Sequence, residues 1–232
     1  MVNDDAVTSV ELPLPIREVW PYLREPELIR AWHGWEYDGL DEEIDEIFLR
    51  TARLSEDHRT LNLGTHLFNL FESEGTTRLE VVRCPPEGDA PQHLAEIDEG
   101  WTSFLEQLRF TLARHRGDQR RTVHVAGPVA GGGTSPIQHL GLAAVRDQAA
   151  GAAYTAEAAT GDVLSGTVWF TSRHQLGLTV DDWGDGLLIV GEGPGDGPPY
   201  DGAQAILTTY GLDRQRHDDL TERWRGWWGA GG

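Results

Sequence analysis

His66 and Glu80 are the ionisable side chains best placed for acid–base chemistry in this sequence. Each falls in a stretch of strand-like composition, 59–71 and 76–84, where alternate side chains turn to one face. A histidine or glutamate walled in by aromatic rings has a shifted pKa and can take or give a proton. Arg83, at the end of the second stretch, suits a ligand carboxylate as well as an outward salt bridge. Other constellations fall short. The run GPVAGGGTS at 127–135 approximates a phosphate loop, but Gly133 stands where the phosphate-binding lysine belongs, so a loop capped into a short helix by Thr134 or Ser135 is preferred. Nine histidines are scattered without a helical ligand pair beside a carboxylate, and no Gly-x-Ser-x-Gly turn occurs. The acidic run 41–46 reads as a solvated face. Neither a metal nor a cofactor is expected.

The elements that must position these groups are legible from periodicity. Residues 6–12 read as a strand. Pro15 opens a short helix with Ile16, Val19, Trp20 and Leu23 on one side, and Pro26 opens a second over 27–32, broken by Gly34. The segment 40–50 keeps helical spacing at Leu40, Ile44 and Phe48 yet could begin a strand near 46, and stays open. The stretches 59–71 and 76–84 read as a hairpin around ESEG, followed by a loop, PPEGDAP. From Glu99 to about 117, Trp101, Phe104, Leu105, Leu108 and Leu112 form the apolar stripe of a long amphipathic helix. That face must cover something apolar.

Composition narrows the function. The chain has 232 residues, a formal net charge of −19 and 19 basic residues, all arginine. The acidic excess is concentrated before residue 119, with 25 acidic against 11 basic (−14), and 13 against 8 (−5) afterwards. Such a chain has no broad basic surface for nucleic acid or anionic membrane. Cys84 is the single cysteine, so an internal disulfide is excluded and a reducing cytoplasm fits. The acidic N-terminal residues do not resemble a signal peptide, and no apolar run reaches about 20 residues. The Ala, Gly and Arg bias without lysine points to high-GC, bacterial coding.

After GDQRR at 117–121 the plan is repeated in a worn form. PIREV at 15–19 finds a counterpart in PIQHL at 136–140, SEDHRTLNL at 55–63 in TSRHQLGL at 171–178, and 104–108 in the final DDLTERWRGWW. Strands are expected at 122–126, 152–158, 163–171, 175–180, 187–192 and 203–210, with a loop at GPGDGPPYDG. Two domains, 1–117 and 118–232, are therefore expected, against a single domain with a C-terminal extension. Trp224, Trp227 and Trp228 offer more aromatic surface than one short terminal helix needs, which predicts packing on the first domain or a homodimer through this segment.

The apolar opening strand, Val19–Trp20, Trp32, the Thr77–Arg78–Leu79 strand and Gly100–Trp101 at the last helix together resemble the SRPBCC or START-like superfamily over residues 6–117. Within it, the chain looks most like the homologues of the activator of heat-shock protein 90 ATPase. The second half lacks the Val-Trp pair and the downstream Trp. The resemblance implies an α+β helix-grip fold, a curved antiparallel sheet around a long C-terminal helix, duplicated with a degenerate second copy. It also implies a cavity between helix and sheet, for which a helix with an aromatic stripe laid on a curved sheet supplies a physical cause. Trp32, Trp35, Tyr37, Leu63, Leu67, Trp101, Phe104, Leu105 and Leu108 are expected to line it, with Arg83 as a polar contact, although any one of them singly is more readily core. The function expected is binding of a small apolar or aromatic molecule. A cyclase or dehydratase acting on a polyketide-like substrate, with His66 and Glu80 as acid and base, is the enzymatic alternative. A chaperone-ATPase partner is the third, carried by the branch name alone.

Overall fold

Alternating burial builds the first sheet. The computed structural model describes residues 6–55, 57–84, 91–127, 135–192 and 203–229, without the side chains of 91–94. Strand β1 (Ala6–Leu12) buries Val10 and Leu12 and exposes Ser9 and Glu11. Pro15 ends the extended run and admits α1 (Ile16–Val19), which continues as a 3-10 turn over Trp20–Leu23. Helix α2 (Pro26–Arg30) follows, and Gly34 takes a positive φ of 56° just beyond it. The open segment resolves as helix: α3 (Leu40–Ile44) runs into a π-helical stretch, Asp45–Arg50, with Leu40, Ile44 and Phe48 buried one turn apart.

Strands β2 (Arg53–Leu54), β3 (Thr60–Asn62), β4 (His66–Ser73) and β5 (Thr76–Arg83) complete an antiparallel sheet in the order β1-β5-β4-β3-β2. The single strand expected over 59–71 is thus two. Gly64, at φ 89°, turns the chain between them, and the Asn62 side chain accepts from its N–H at 2.8 Å. Glu74 and Gly75, both at positive φ, form the hairpin between β4 and β5. Helix α4 (Pro91–Arg114) is longer than the stripe predicted and joins the sheet in one core, where Trp101, Leu105, Leu108 and Leu112 meet Phe68, Leu70, Leu79 and Val81.

The chain divides into two units, Met1–Gly117 and Asp118–Gly232. In the second, β6 (Arg120–Ala126) leads to α5 (Pro136–His139), which Ser135 caps by accepting from the Gln138 N–H at 3.3 Å. Then come α6 (Ala143–Arg146), β7 (Ala153–Glu157), β8 (Val163–Thr171), β9 (Gln175–Val180), β10 (Gly186–Glu192), β11 (Ala203–Tyr210) and α7 (Arg214–Gly229). The strand order is β6-β11-β10-β9-β8-β7. In both sheets the first strand pairs with the last, and the earlier strands follow in descending order. Strands β9 and β10 are buried on both faces, which explains the unbroken apolar run Leu187–Val190 in β10. Most of the glycine-rich run at 127–135 and all of the loop at 193–202 lie outside the described residues.

Helix α7 packs on the core of its own unit. Trp224 and Trp228 sit in the core of their own unit, their indole N–H groups donating to Asp162 at 2.8 Å and to the Gly127 carbonyl at 3.2 Å, and Trp227 packs half-buried against the same core. Much of the aromatic surface singled out in the sequence therefore packs within this unit, against the apolar face of the six-stranded sheet.

Candidate functional site

Strand parity decides which sequence-predicted residues can meet. His66 is paired across the sheet with Arg83, Phe68 with Val81 and Leu70 with Leu79, so all six share the face that α4 covers. Leu67 pairs with Val82, and Glu80 with Asn69 and Ser9, on the opposite face. Leu67 as a lining residue and Glu80 as an interior acid or base are therefore corrected. Positions an odd number of residues apart along a strand face opposite sides, so choosing His66 excluded Leu67, and choosing Arg83 excluded Glu80. Glu80 is buried all the same, in an ion pair with Arg78 two positions away on its own face.

His66 instead meets a residue the sequence reading passed over. Its Nε2 lies 3.0 Å from Asp98 Oδ1, its Nδ1 lies 3.0 Å from the Thr65 hydroxyl, and Arg83 pairs with the other Asp98 oxygen. Burial first, and the neighbouring Arg83 charge second, push the His66 pKa down to about 4. The Asp98 charge, which would favour an imidazolium, is engaged by Arg83. The ring is thus neutral at pH 7, with Nε2–H donating to Asp98 and Nδ1 accepting from Thr65. Asp98 precedes Trp101 by one helical turn, and that spacing is the signal that would have found it. It went unseen because the helix was expected to begin at Glu99.

Around this polar group the aromatic rings form a connected series. The Trp101 ring lies 4.9 Å from Phe68, 5.9 Å from His66, 6.0 Å from His33 and 6.1 Å from Phe104, and Phe104 lies 6.3 Å from Trp35. Two side chains of α4 hold the turn that carries Trp32, His33 and Trp35. Gln107 donates to the Gly34 carbonyl at 3.3 Å and Thr111 to that of Ala31 at 3.1 Å, while the Trp32 indole donates to Tyr22 at 2.8 Å. His33, also missed, donates from Nε2 to Glu43 at 2.9 Å, and Tyr37 donates to the same carboxylate. Burial alone would raise the Glu43 pKa, but the hydrogen bonds from His33 and Tyr37 and the His33 charge together hold it below the ordinary value.

The expected lining divides by depth. Trp32, Leu105 and Leu108 have no exposed surface and Leu63 is buried, so these are packed core; Trp35 and Phe104 are half-buried, and Tyr37 is exposed. Among the described residues no group of three or more His, Cys, Asp or Glu is placed to hold a metal ion, and no helix is long and apolar enough to cross a membrane.

A pH dependence follows from the buried imidazoles. His124 also has its pKa lowered to about 4, by burial first and by the Arg225 charge, against a raising hydrogen bond that its Nε2–H donates to the Gln204 side-chain oxygen. Between pH 6.5 and 4 the unfolded chain binds protons that the folded chain refuses, so stability is greatest above pH 6.5 and falls on acidification, by at most about 3 kcal/mol per histidine. Urea midpoints measured from pH 7 to 4 should decline. The decline should be shallower in His66→Gln, and an equal slope in that variant would contradict the assignment.

The chain matches no described protein family and no curated protein. Among solved structures it is similar to DynU16, a protein of the dynemicin biosynthetic locus, at 18% identity over 99% of this chain and 97% of that one, with a TM-score of 0.34. It is also similar to StfQ, a di-domain ARO/CYC from the steffimycin biosynthetic pathway, at 13% identity over 93% and 87% of the two chains, with a TM-score of 0.33. At these values the two structures add nothing to the reading of the side chains.

Proposed function

We propose that the first unit is a helix-grip binding domain for a small, largely apolar or aromatic molecule, and that the second is a degenerate copy of the same plan. The shared strand order, with a long helix closing each unit, supports the duplication. The observation that carries the binding reading is the ring series from half-buried Trp35 and Phe104 through Trp101 to the buried His66–Asp98–Arg83 group. Packing alone does not call for these polar groups in an aromatic wall, whereas a ligand site combines apolar lining with a few convergent polar atoms. Since Trp32, Leu105 and Leu108 are packed solid, the ligand enters by displacing the Trp35 and Phe104 rings.

Fluorene is a suitable probe. Titration should show micromolar binding to the wild-type chain, weakened several-fold in Trp35→Ala with the melting temperature little changed. Equal affinity in that variant would contradict the entry route.

A cyclase- or dehydratase-type enzyme is the second reading, favoured by one feature: burial and the Arg83 charge keep His66 neutral while Asp98 and Thr65 fix its tautomer, as a general base requires. On that reading His66→Gln loses turnover of an aromatic polyketide while still binding it.

A further inference from the structure

We infer that the molecule taken by the first unit carries an uncharged acceptor oxygen, a ketone, quinone or amide carbonyl, received by the Trp101 indole N–H and the Arg83 Nε–H. This rests on the binding reading above and adds the chemical class of the ligand. Both donor atoms are buried and have no acceptor among the described residues, and Trp101 as a whole is only 6% exposed. Both belong to residues in contact with the His66–Asp98 pair, Trp101 through the imidazole ring and Arg83 through the carboxylate.

The other side-chain atoms of the group already have partners. His66 uses one nitrogen on Asp98 and the other on Thr65, and each Asp98 oxygen already has a donor. The two buried atoms left without any partner are donors, so the unmet need is for an acceptor on the ligand. Charge selects among acceptors. Arg83 and Asp98 offset each other and His66 is neutral, so a carboxylate would place an uncompensated negative charge in a desolvated site beside Asp98. A carbonyl brings the acceptor without that charge, and a flat ring system suits the Trp101, Phe104 and Trp35 faces.

The test uses the full chain and three probes of one shape: fluorene, 9-fluorenone and fluorene-2-carboxylate. Calorimetric titration should give 9-fluorenone roughly a tenfold advantage over fluorene, with the carboxylate weaker than the ketone. Trp101→Phe, which keeps a ring and removes the N–H, should weaken 9-fluorenone more than fluorene and so abolish most of that advantage. Should that variant not fold, the infrared carbonyl stretch of 9-fluorenone on the wild-type protein decides, because hydrogen bonding moves it below its frequency in apolar solvent. Equal affinities for ketone and hydrocarbon, an unshifted carbonyl, or the carboxylate binding most tightly would overturn the inference while fluorene binding keeps the broader reading. Failure of all three probes to bind would remove both.

Discussion

Alanine at position 101 is expected to cost the first unit about 4 kcal/mol. Trp101 is nearly fully buried, and its indole touches Phe48, Phe68, His33, His66 and Phe104, rings contributed by α4, β4, the π-helical stretch and the turn after α2. Removing it opens a cavity that those rings cannot jointly collapse into, since His33 is held by Glu43 and His66 by Asp98 and Thr65. Urea denaturation should show a large fall in midpoint. Trp101→Phe should cost much less, because it retains much of the volume and deletes an N–H that has no acceptor among the described residues. Similar losses for the two variants would mean that the indole N–H has a structural partner, and would count against the ligand assignment as well.

Gly184→Ala is expected to be comparably severe in the second unit, at about 3 kcal/mol or more. Gly184 ends the 3-10 turn Asp181–Trp183 in the left-handed region, at φ 72°, and a Cβ added there would collide with the backbone carbonyl of Tyr210 on β11. The turn also sets Trp183, which packs edge-on against Trp224 at 5.9 Å, so a shift large enough to relieve the collision disturbs the core beneath α7. Gly151 provides the control. Its φ is 87°, but nothing lies within 4 Å of an added Cβ, so Gly151→Ala should cost only the left-handed penalty of about 1 kcal/mol. Melting curves of the two variants separate the collision from backbone strain, and equal losses would contradict the packing described.

Much of the local structure was open to reading from composition and period. The opening strand, the proline-started helices, the β4–β5 hairpin, the helix led by Trp101 and the strands of the second half all announce themselves over windows of five to fifteen residues. Where the reading faltered, competing local signals were balanced. Segment 40–50 carries helical spacing and strand-like residues together, and Gly64 breaks an apolar stretch that composition alone treats as one strand. The candidate site was legible only in fragments. His66, Arg83 and Trp101 were named, whereas Asp98, which joins His66 to Arg83, and Glu43, which holds His33, were not.

By itself the sequence determined the elements, because side-chain period and glycine or proline punctuation act within a few residues. It also determined the acidic, lysine-free surface and the single thiol. Only the tertiary structure decided which face of each strand looks toward α4, and with it that Leu67 and Glu80 turn away while His66 and Arg83 meet Asp98. Facing depends on register, and a slip of one residue reverses every side chain in a strand. Register is set by pairings between residues far apart in the chain, such as β1 with β5, so no local window contains it.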